Sequence, residues 1–229
     1  MPLRDPGDSA EVRRTFDESS GSLHLSQAVL RFGVGRSGTR RPGGDEVLLV
    51  VQGEGTLLLG GEAHAVEPEM AAYVPSGGEW RIESPGPADL VVVSVRFRPS
   101  EGGAPAVVRL SAADAKAATG GREFRLLAGP DVGCEAVTQF VGYIPPGRAP
   151  DHYHHYDEVI YVLDGPGALH IGGEEAELRP GSCIHLPARL VHSLENRGES
   201  ELRVLGVFTP AGSPAEAYYP DGTLAYPVG

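Results

Sequence analysis

A segment of this chain recurs 112 residues further on. Glu46-VLLVVQ-Gly53-Glu54-Gly55-TLLL-Gly60-Gly61-Glu62 aligns without a gap on Glu158-VIYVLD-Gly165-Pro166-Gly167-ALHI-Gly172-Gly173-Glu174. At the same offset Pro68 falls on Pro180, Pro75 on Pro187 and Trp80 on His192. Glycine and proline serve backbone conformations that other residues adopt only at a cost, so their coincidence at one offset marks two copies of one folding unit. A chain of 229 residues has room for two such units, each with its own core.

Each copy has the same local grammar. An apolar strand (Val47 to Val51; Val159 to Leu163) ends at Gly-x-Gly, and a second strand (Thr56 to Leu59; Ala168 to Ile171) ends at Gly-Gly. Both glycines of such a pair can take positive φ, the requirement of a tight hairpin. A third strand (Ala71 to Val74; Cys183 to Leu186) runs to a proline, and a fourth follows (Leu90 to Phe97; Glu201 to Phe208). Short strands at this spacing predict an all-β chain with a small barrel or jelly roll in each half. The 32 glycines and 20 prolines, scattered among apolar runs, suit many tight turns.

The expected boundaries are a flexible N-terminal segment 1–20, an N-terminal barrel 21–100, a linker 101–121, a C-terminal barrel 122–210 and a tail 211–229. In the linker, Ser111-AADAKAAT-Gly120 reads as a short helix with Ser111 as N-cap and Gly120 as terminator. Tyr218 and Tyr219 in the tail could cover an open barrel end, though tails more often pack on a neighbouring surface.

Asp and Glu number 31 against 19 Lys and Arg, a net charge of −12. Such a surface repels phosphate backbones, which argues against a nucleic-acid partner. Apolar runs such as Val91-Val92-Val93 are far too short to cross a bilayer, and Met1 to Ser20 lacks the apolar stretch of a signal peptide. A soluble, cytoplasmic protein with no membrane partner is expected. Cys134 and Cys183 have no CxxC spacing and are expected to be reduced, Cys183 as a small core residue.

Six of the eight histidines lie between Gly147 and Asn196. Among them, His152-x-His154-x-x-x-Glu158 places three ligand-bearing residues at one parity, so an extended strand aims them into one interior. His192 follows the third strand and can approach from the opposite wall. Three neutral imidazoles and one carboxylate suit one divalent ion of Fe, Mn, Ni, Cu or Zn, and an octahedral ion so held keeps two positions open.

These residues resemble the cupin signature, Gly-x(4–5)-His-x-His-x(3–4)-Glu-x(6)-Gly followed by Gly-x(5)-Pro-x-Gly-x(2)-His-x(3)-Asn. The first motif reads Gly147-RAPD-His152-Y-His154-HYD-Glu158-VIYVLD-Gly165, and the second reads Gly181-SCIHL-Pro187-A-Arg189-LV-His192-SLE-Asn196. Arg189 stands where the signature has glycine, at a turn position. The resemblance spans most of residues 124 to 210. It implies a bicupin, two tandem double-stranded β-helix (jelly-roll) barrels, with His152, His154, Glu158 and His192 as metal ligands in the second. The first copy keeps Glu46, Gly53, Pro75 and Gly77, but Arg40, Pro42 and Trp80 replace the three histidines. None of these offers a ligand atom, so the first barrel is expected to hold no metal and to serve as a packing partner. Trp80 there can plug the interior with apolar bulk.

Other polar residues carry plainer expectations. His155 has the opposite parity and is read as a rim residue. His170 and His185 are read as structural, His24 and His64 as surface residues. Asp151 and Asp157 are read as solvated loop charges or partners of ligand-histidine nitrogens. Tyr143, Gln139 and Tyr161 are candidates for lining the pocket. The resemblance implies a metal-dependent enzyme for a small organic substrate, with dioxygenase-type chemistry first. Lewis-acid isomerase, decarboxylase, lyase or hydrolase chemistry and non-catalytic small-molecule binding remain open beside it. Homodimerisation through exposed sheet edges, with Met1 to Ser20 adding a strand to a partner, is a further expectation.

Overall fold

The central strands of both copies are apolar on both faces. Asp45–Gln52 is buried from Asp45 through Val50, and Asp157–Asp164 shows a similar run. Strands so placed need neighbours on each side. Asp45–Gln52 lies between Leu90–Phe97 and Met70–Val74, and Asp157–Asp164 between Leu202–Thr209 and Cys183–Leu186, all antiparallel.

The computed structural model describes residues 8–100 and 103–225. In the first copy a six-stranded sheet runs Ala10–Phe16, Ser26–Phe32, Leu90–Phe97, Asp45–Gln52, Met70–Val74, Ala106–Arg109, and a four-stranded sheet runs Gly35–Arg36, Trp80–Ser84, Gly55–Leu59, Glu62–Val66. The second copy repeats the four-stranded sheet and five strands of the six-stranded one. Its six strands are Ala115–Ala117, Glu123–Ala128, Thr138–Ile144, Leu202–Thr209, Asp157–Asp164 and Cys183–Leu186, and its four are Gly147–Arg148, His192–Asn196, Gly167–Ile171 and Glu174–Leu178. The Gly-Gly hairpins form as expected, with φ of 59° and 91° at Gly60-Gly61 and 57° and 89° at Gly172-Gly173. The chain is all-β and builds two jelly-roll barrels; among the described residues the helical pieces are four short 3-10 turns. None is a helix long and apolar enough to cross a membrane.

Two compact units result, Met1–Ala113 with Leu127–Ala136, and Asp114–Leu126 with Val137–Gly229. The expected linker helix does not form. Residues 106–120 instead contain the strand Ala106–Arg109, a 3-10 turn at Leu110–Ala112 and the strand Ala115–Ala117. Ala106–Arg109 pairs with Met70–Val74, and Ala115–Ala117 pairs with Glu123–Arg125. A helix of two turns gains little by itself, so ladder pairing overrides the alanine-rich propensity. The N-terminal segment is likewise more ordered than expected. Ala10–Phe16 pairs with Ser26–Phe32 of the same chain and forms an edge strand of the six-stranded sheet. Residues 1–7, 101–102 and 226–229, parts of the expected segment, linker and tail, lie outside the described residues.

The two interiors differ. In the first barrel one buried cluster includes Phe32, Leu48, Leu57, Trp80, Ile82 and Val92. The second is divided into an aliphatic cluster with Ile144, Ile160, Leu186, Leu194 and Val204, and an aromatic one with Phe124, Phe140, Tyr156 and Phe208. A cavity of about 100 Å³ is lined by members of both.

Candidate metal centre

His152 and His192 enter this cavity on two short backbone segments that grip each other. The His152 N–H donates to the His192 carbonyl at 3.0 Å, and the reverse bond is 2.9 Å. His154 does not lie on a regular strand, contrary to the parity argument; Asp157 is the first strand residue. His154 is held instead by its own carbonyl, which accepts from the Arg189 N–H at 2.7 Å. Arg189 has φ of 68°, the left-handed conformation that explains glycine at this signature position. Glu158, two residues into the central strand, is 4% exposed.

The cavity brings together all four predicted residues, His152, His154, Glu158 and His192. The imidazole centroids of His152 and His192 lie 4.7 Å apart, and those of His154 and His192 5.0 Å. Each ring has its Nδ1 on a backbone carbonyl: His152 on Pro150 at 2.8 Å, His154 on Tyr156 at 2.9 Å, His192 on Leu190 at 2.8 Å. A carbonyl can only accept, so each Nδ1 carries a proton, and in the neutral ring Nε2 keeps its lone pair. Burial keeps the His152 and His192 rings neutral. It pushes His152 down to about 4 and His192 down to about 3, helped by the nearby positive charge of Arg122.

His154 Nε2 is buried without a hydrogen-bond partner, yet lies 3.1 Å from Glu158 Oε2. With Nδ1 protonated, two acceptors face each other there. A cation between them would satisfy both, and three imidazole nitrogens with one carboxylate oxygen are a donor set for a divalent transition metal. The donor set therefore fits the group that the motif implies. The four donors stand wider apart as a set than those of His170, Glu175 and Glu195, which all lie within 4.8 Å of one another. That second group is on the surface and already paired: His170 Nε2 meets Glu195 at 2.9 Å, and Arg197 contacts both carboxylates.

The walls are mostly apolar, with Phe140, Ile144, Ile160, Leu194 and Val204. Tyr156 stacks between His154 (4.1 Å) and Phe208 (3.8 Å); burial first, and then the Glu158 charge, raise its phenol well above the ordinary value. Tyr143 is a lining residue as expected; Gln139 and Tyr161 are not. The tail does close over this barrel. Tyr218 pairs by backbone with Tyr153 and stacks on its ring at 5.7 Å, while Ala217, Tyr219 and Ala225 line the cavity.

The remaining residues take plain places. His155 is exposed and packs edge-on to Tyr153 and Tyr218. His185 pairs with Asp157 at 2.8 Å, so Asp157 serves that histidine and not a ligand candidate. Asp151 is exposed and pairs with Arg148. His24 is exposed, and His64 is half-buried beside Glu62 at 3.9 Å. Neither Cys134 nor Cys183 is in a disulfide, and Cys134 is the fully buried one. Sequence reasoning missed Arg122 and Tyr156. Tyr156 shares the parity of His154 and Glu158, a signal that was there to use; Arg122 lies outside any motif.

The first barrel keeps the frame of this centre without its donors. Arg40 and Trp80 form the same backbone bridge as His152 and His192. Glu46, fully buried, accepts from Trp80 Nε1 at 2.6 Å, from Arg96 Nε at 3.0 Å and from the Ser94 hydroxyl. The Arg40 guanidinium lies over the Phe32 and Trp80 rings at 5.3 and 5.5 Å.

Residues 29–96 and 140–208 each match the Cupin domain family. Quercetin 2,3-dioxygenase of Bacillus subtilis (strain 168) is 38% identical over 80 residues, 31% of this chain and 24% of that protein. The chain spans 24% to 62% of the length of the first curated relatives it matches. Among solved structures, protein Ylba from E. coli superposes with a TM-score of 0.77 at 13% identity, covering 91% of this chain and 86% of that one. Oxalate decarboxylase from Bacillus subtilis does so with a TM-score of 0.72 at 14% identity, covering 93% and 75%. These likenesses concern the fold. With both repeats matched and the two barrels formed, the chain belongs to the cupin family and is a bicupin.

Proposed function

We propose that the second barrel is a mononuclear metal site, with His152, His154, Glu158 and His192 as ligands to one divalent transition-metal ion, and that it is an enzyme for a small organic substrate. The observation that carries this reading is the shared tautomer: three Nδ1–carbonyl bonds leave three Nε2 lone pairs in one cavity with a buried carboxylate and no donor between His154 and Glu158. A bound ion would supply open positions at which substrate can chelate and, with iron, copper or nickel, at which dioxygen chemistry can run.

Dioxygenase-type chemistry is the first reading within this class. Two features support it: the quercetin 2,3-dioxygenase relative, and a cavity poor in proton-transfer groups. Tyr156 is held neutral by its surroundings. Apart from Glu158, the lining offers one carboxylate, Glu123, and it is exposed. Isomerisation or decarboxylation by Lewis-acid chemistry would ask for a better-placed acid or base. The cavity, about 100 Å³, is below the roughly 300–1,000 Å³ of drug-sized sites and points to a compact substrate.

Elemental analysis of untagged protein beside the His152→Ala/His192→Ala double variant tests the metal. One ion per chain, lost in the double variant, is the expected result; no ion after reconstitution with Fe, Mn, Ni, Cu and Zn in turn overturns it. Oxygen uptake by the iron-loaded protein with enolisable and phenolic compounds tests the chemistry. Turnover by the zinc-loaded protein under argon would move the assignment to the Lewis-acid class.

A further inference from the structure

Arg122 is the one cation lining the cavity. It stands at the head of the strand Glu123–Ala128, where its carbonyl accepts from the Ala118 N–H at 2.8 Å. Next to it Phe124 is 4% exposed and meets Phe140 edge-on at 6.3 Å, which anchors this end of the strand against the aromatic cluster. The guanidinium has a buried Nη2 without a hydrogen-bond partner, and Arg122 makes no ion pair among the described residues. Its neighbour Glu123 is exposed and does not pair with it.

A guanidinium with a buried, unpaired donor is costly. The buried Nη2 of Arg122 loses water and gains no partner in return, and replacement by an apolar side chain of similar length would remove that cost. Burial holds the group down to about 10, so it stays charged at neutral pH. It lines the same cavity as His152 and His192. Guanidinium geometry matches a carboxylate bidentately.

We propose that Arg122 is a substrate-binding residue and that the substrate is a small organic carboxylate, its carboxylate on the Arg122 guanidinium and its other end toward the His152–His192 side of the cavity. This rests on the reading of the barrel as a substrate site, but not on the presence of the ion. The cavity's size favours a compact acid. The pairing supplies the counter-charge that the fold withholds, in a protein whose net charge of −12 disfavours anions elsewhere.

Calorimetric titration of the full chain, zinc-loaded and metal-free, with acetate, pyruvate, oxalate and malonate tests this. Oxamide serves as the neutral counterpart of oxalate, and inorganic phosphate as a non-carboxylate anion. At least one carboxylate is expected to bind, about 10- to 100-fold more weakly to Arg122→Met and with intermediate affinity to Arg122→Lys. Any affinity for oxamide is expected to be the same in all three proteins. Thermal melting without ligand supplies an independent readout: Arg122→Met is expected to melt at the same temperature as the parent or higher. Failure of every carboxylate to bind the parent, unchanged affinity in Arg122→Met, Arg122-dependent binding of phosphate alone, or a much lower melting temperature of Arg122→Met would each overturn the proposal. Arg122-dependent binding in a protein that takes up no metal would instead sink the metal reading and leave this one standing.

Discussion

Trp80 donates its indole N–H to the buried carboxylate of Glu46 at 2.6 Å, and the two stand at the repeat positions that His192 and Glu158 occupy in the second barrel. The same carboxylate also takes the Ser94 hydroxyl and the Arg96 guanidinium. The first barrel thus satisfies its buried glutamate with protein donors, while among the described residues the Glu158 carboxylate faces an opposing acceptor, His154 Nε2, at 3.1 Å.

Trp80 therefore does more than fill space. Trp80→Ala is expected to cost about 3–5 kcal/mol, as large-to-small changes at fully buried sites do. Trp80→Phe keeps most of the bulk and removes the donor, for an expected cost of about 1–3 kcal/mol. Both are read by urea unfolding. Metal content is expected to be unchanged in both; a Trp80→Phe protein as stable as the parent would reduce Trp80 to apolar filling.

His154 is the ligand candidate most committed by its surroundings. Its Nδ1 is bound to the Tyr156 carbonyl and its ring stacks on Tyr156. His154→Ala is expected to lower metal content to a small fraction of one ion per chain and to abolish activity. The melting increment produced by adding metal to the stripped parent should vanish with it, since that increment reports binding to the folded state alone. Near-stoichiometric metal in the variant would remove His154 from the ligand set.

How far the sequence carried this reading depended on what kind of signal each residue left. The repeat offset placed Trp80 opposite His192 and Arg40 opposite His152, and the two backbone bridges follow that pairing. Strands with apolar runs, such as Leu90–Phe97, were readable end to end. Glu174–Leu178 was not, because four of its five residues face solvent and leave no alternation to see. The helix expected after Ser111 failed because local alanine content says nothing of an unfilled sheet edge nearby. Arg122 was invisible for a related reason: its role comes from where the chain path delivers it, and no spacing encodes that path.

Gly206 is an unmarked requirement of the site. A Cβ there would lie 2.3 Å from the Phe140 ring and 2.7 Å from Glu158 Oε1. Its repeat counterpart is Ser94, and that of Phe140 is Ala28, so the first barrel trades the ring for a hydroxyl that reaches Glu46. Gly206→Ala is expected to push Phe140 and the Glu158 carboxylate apart, costing about 1–3 kcal/mol as overpacking does. Metal affinity should fall, and adding Phe140→Leu should restore part of both losses. An unaffected Gly206→Ala protein would show that the ring yields freely.

The two depressed histidines give the metal-free protein a particular acid response. His152 titrates at about 4 and His192 at about 3 in the folded chain, mainly through burial, against about 6.5 for each when unfolded. Between those values the unfolded state binds more protons than the folded one. Stability contributed by the neutral rings is thus complete above pH 6.5 and is lost as pH falls through the window to about 3. The slope is up to about 1.4 kcal/mol per pH unit for each ring. Urea unfolding of the stripped protein at intervals from pH 7.5 to 4.5 should show this loss, and the His152→Gln/His192→Gln variant should show a shallower one. The same depression means that protons compete weakly for the Nε2 atoms, so the loaded protein is expected to keep its metal at pH 5, where an exposed histidine cluster would be largely protonated. Parallel stability slopes in the two stripped proteins, or release of the metal near pH 6.5, would mean that these rings are open to water and titrate as they do in the unfolded chain.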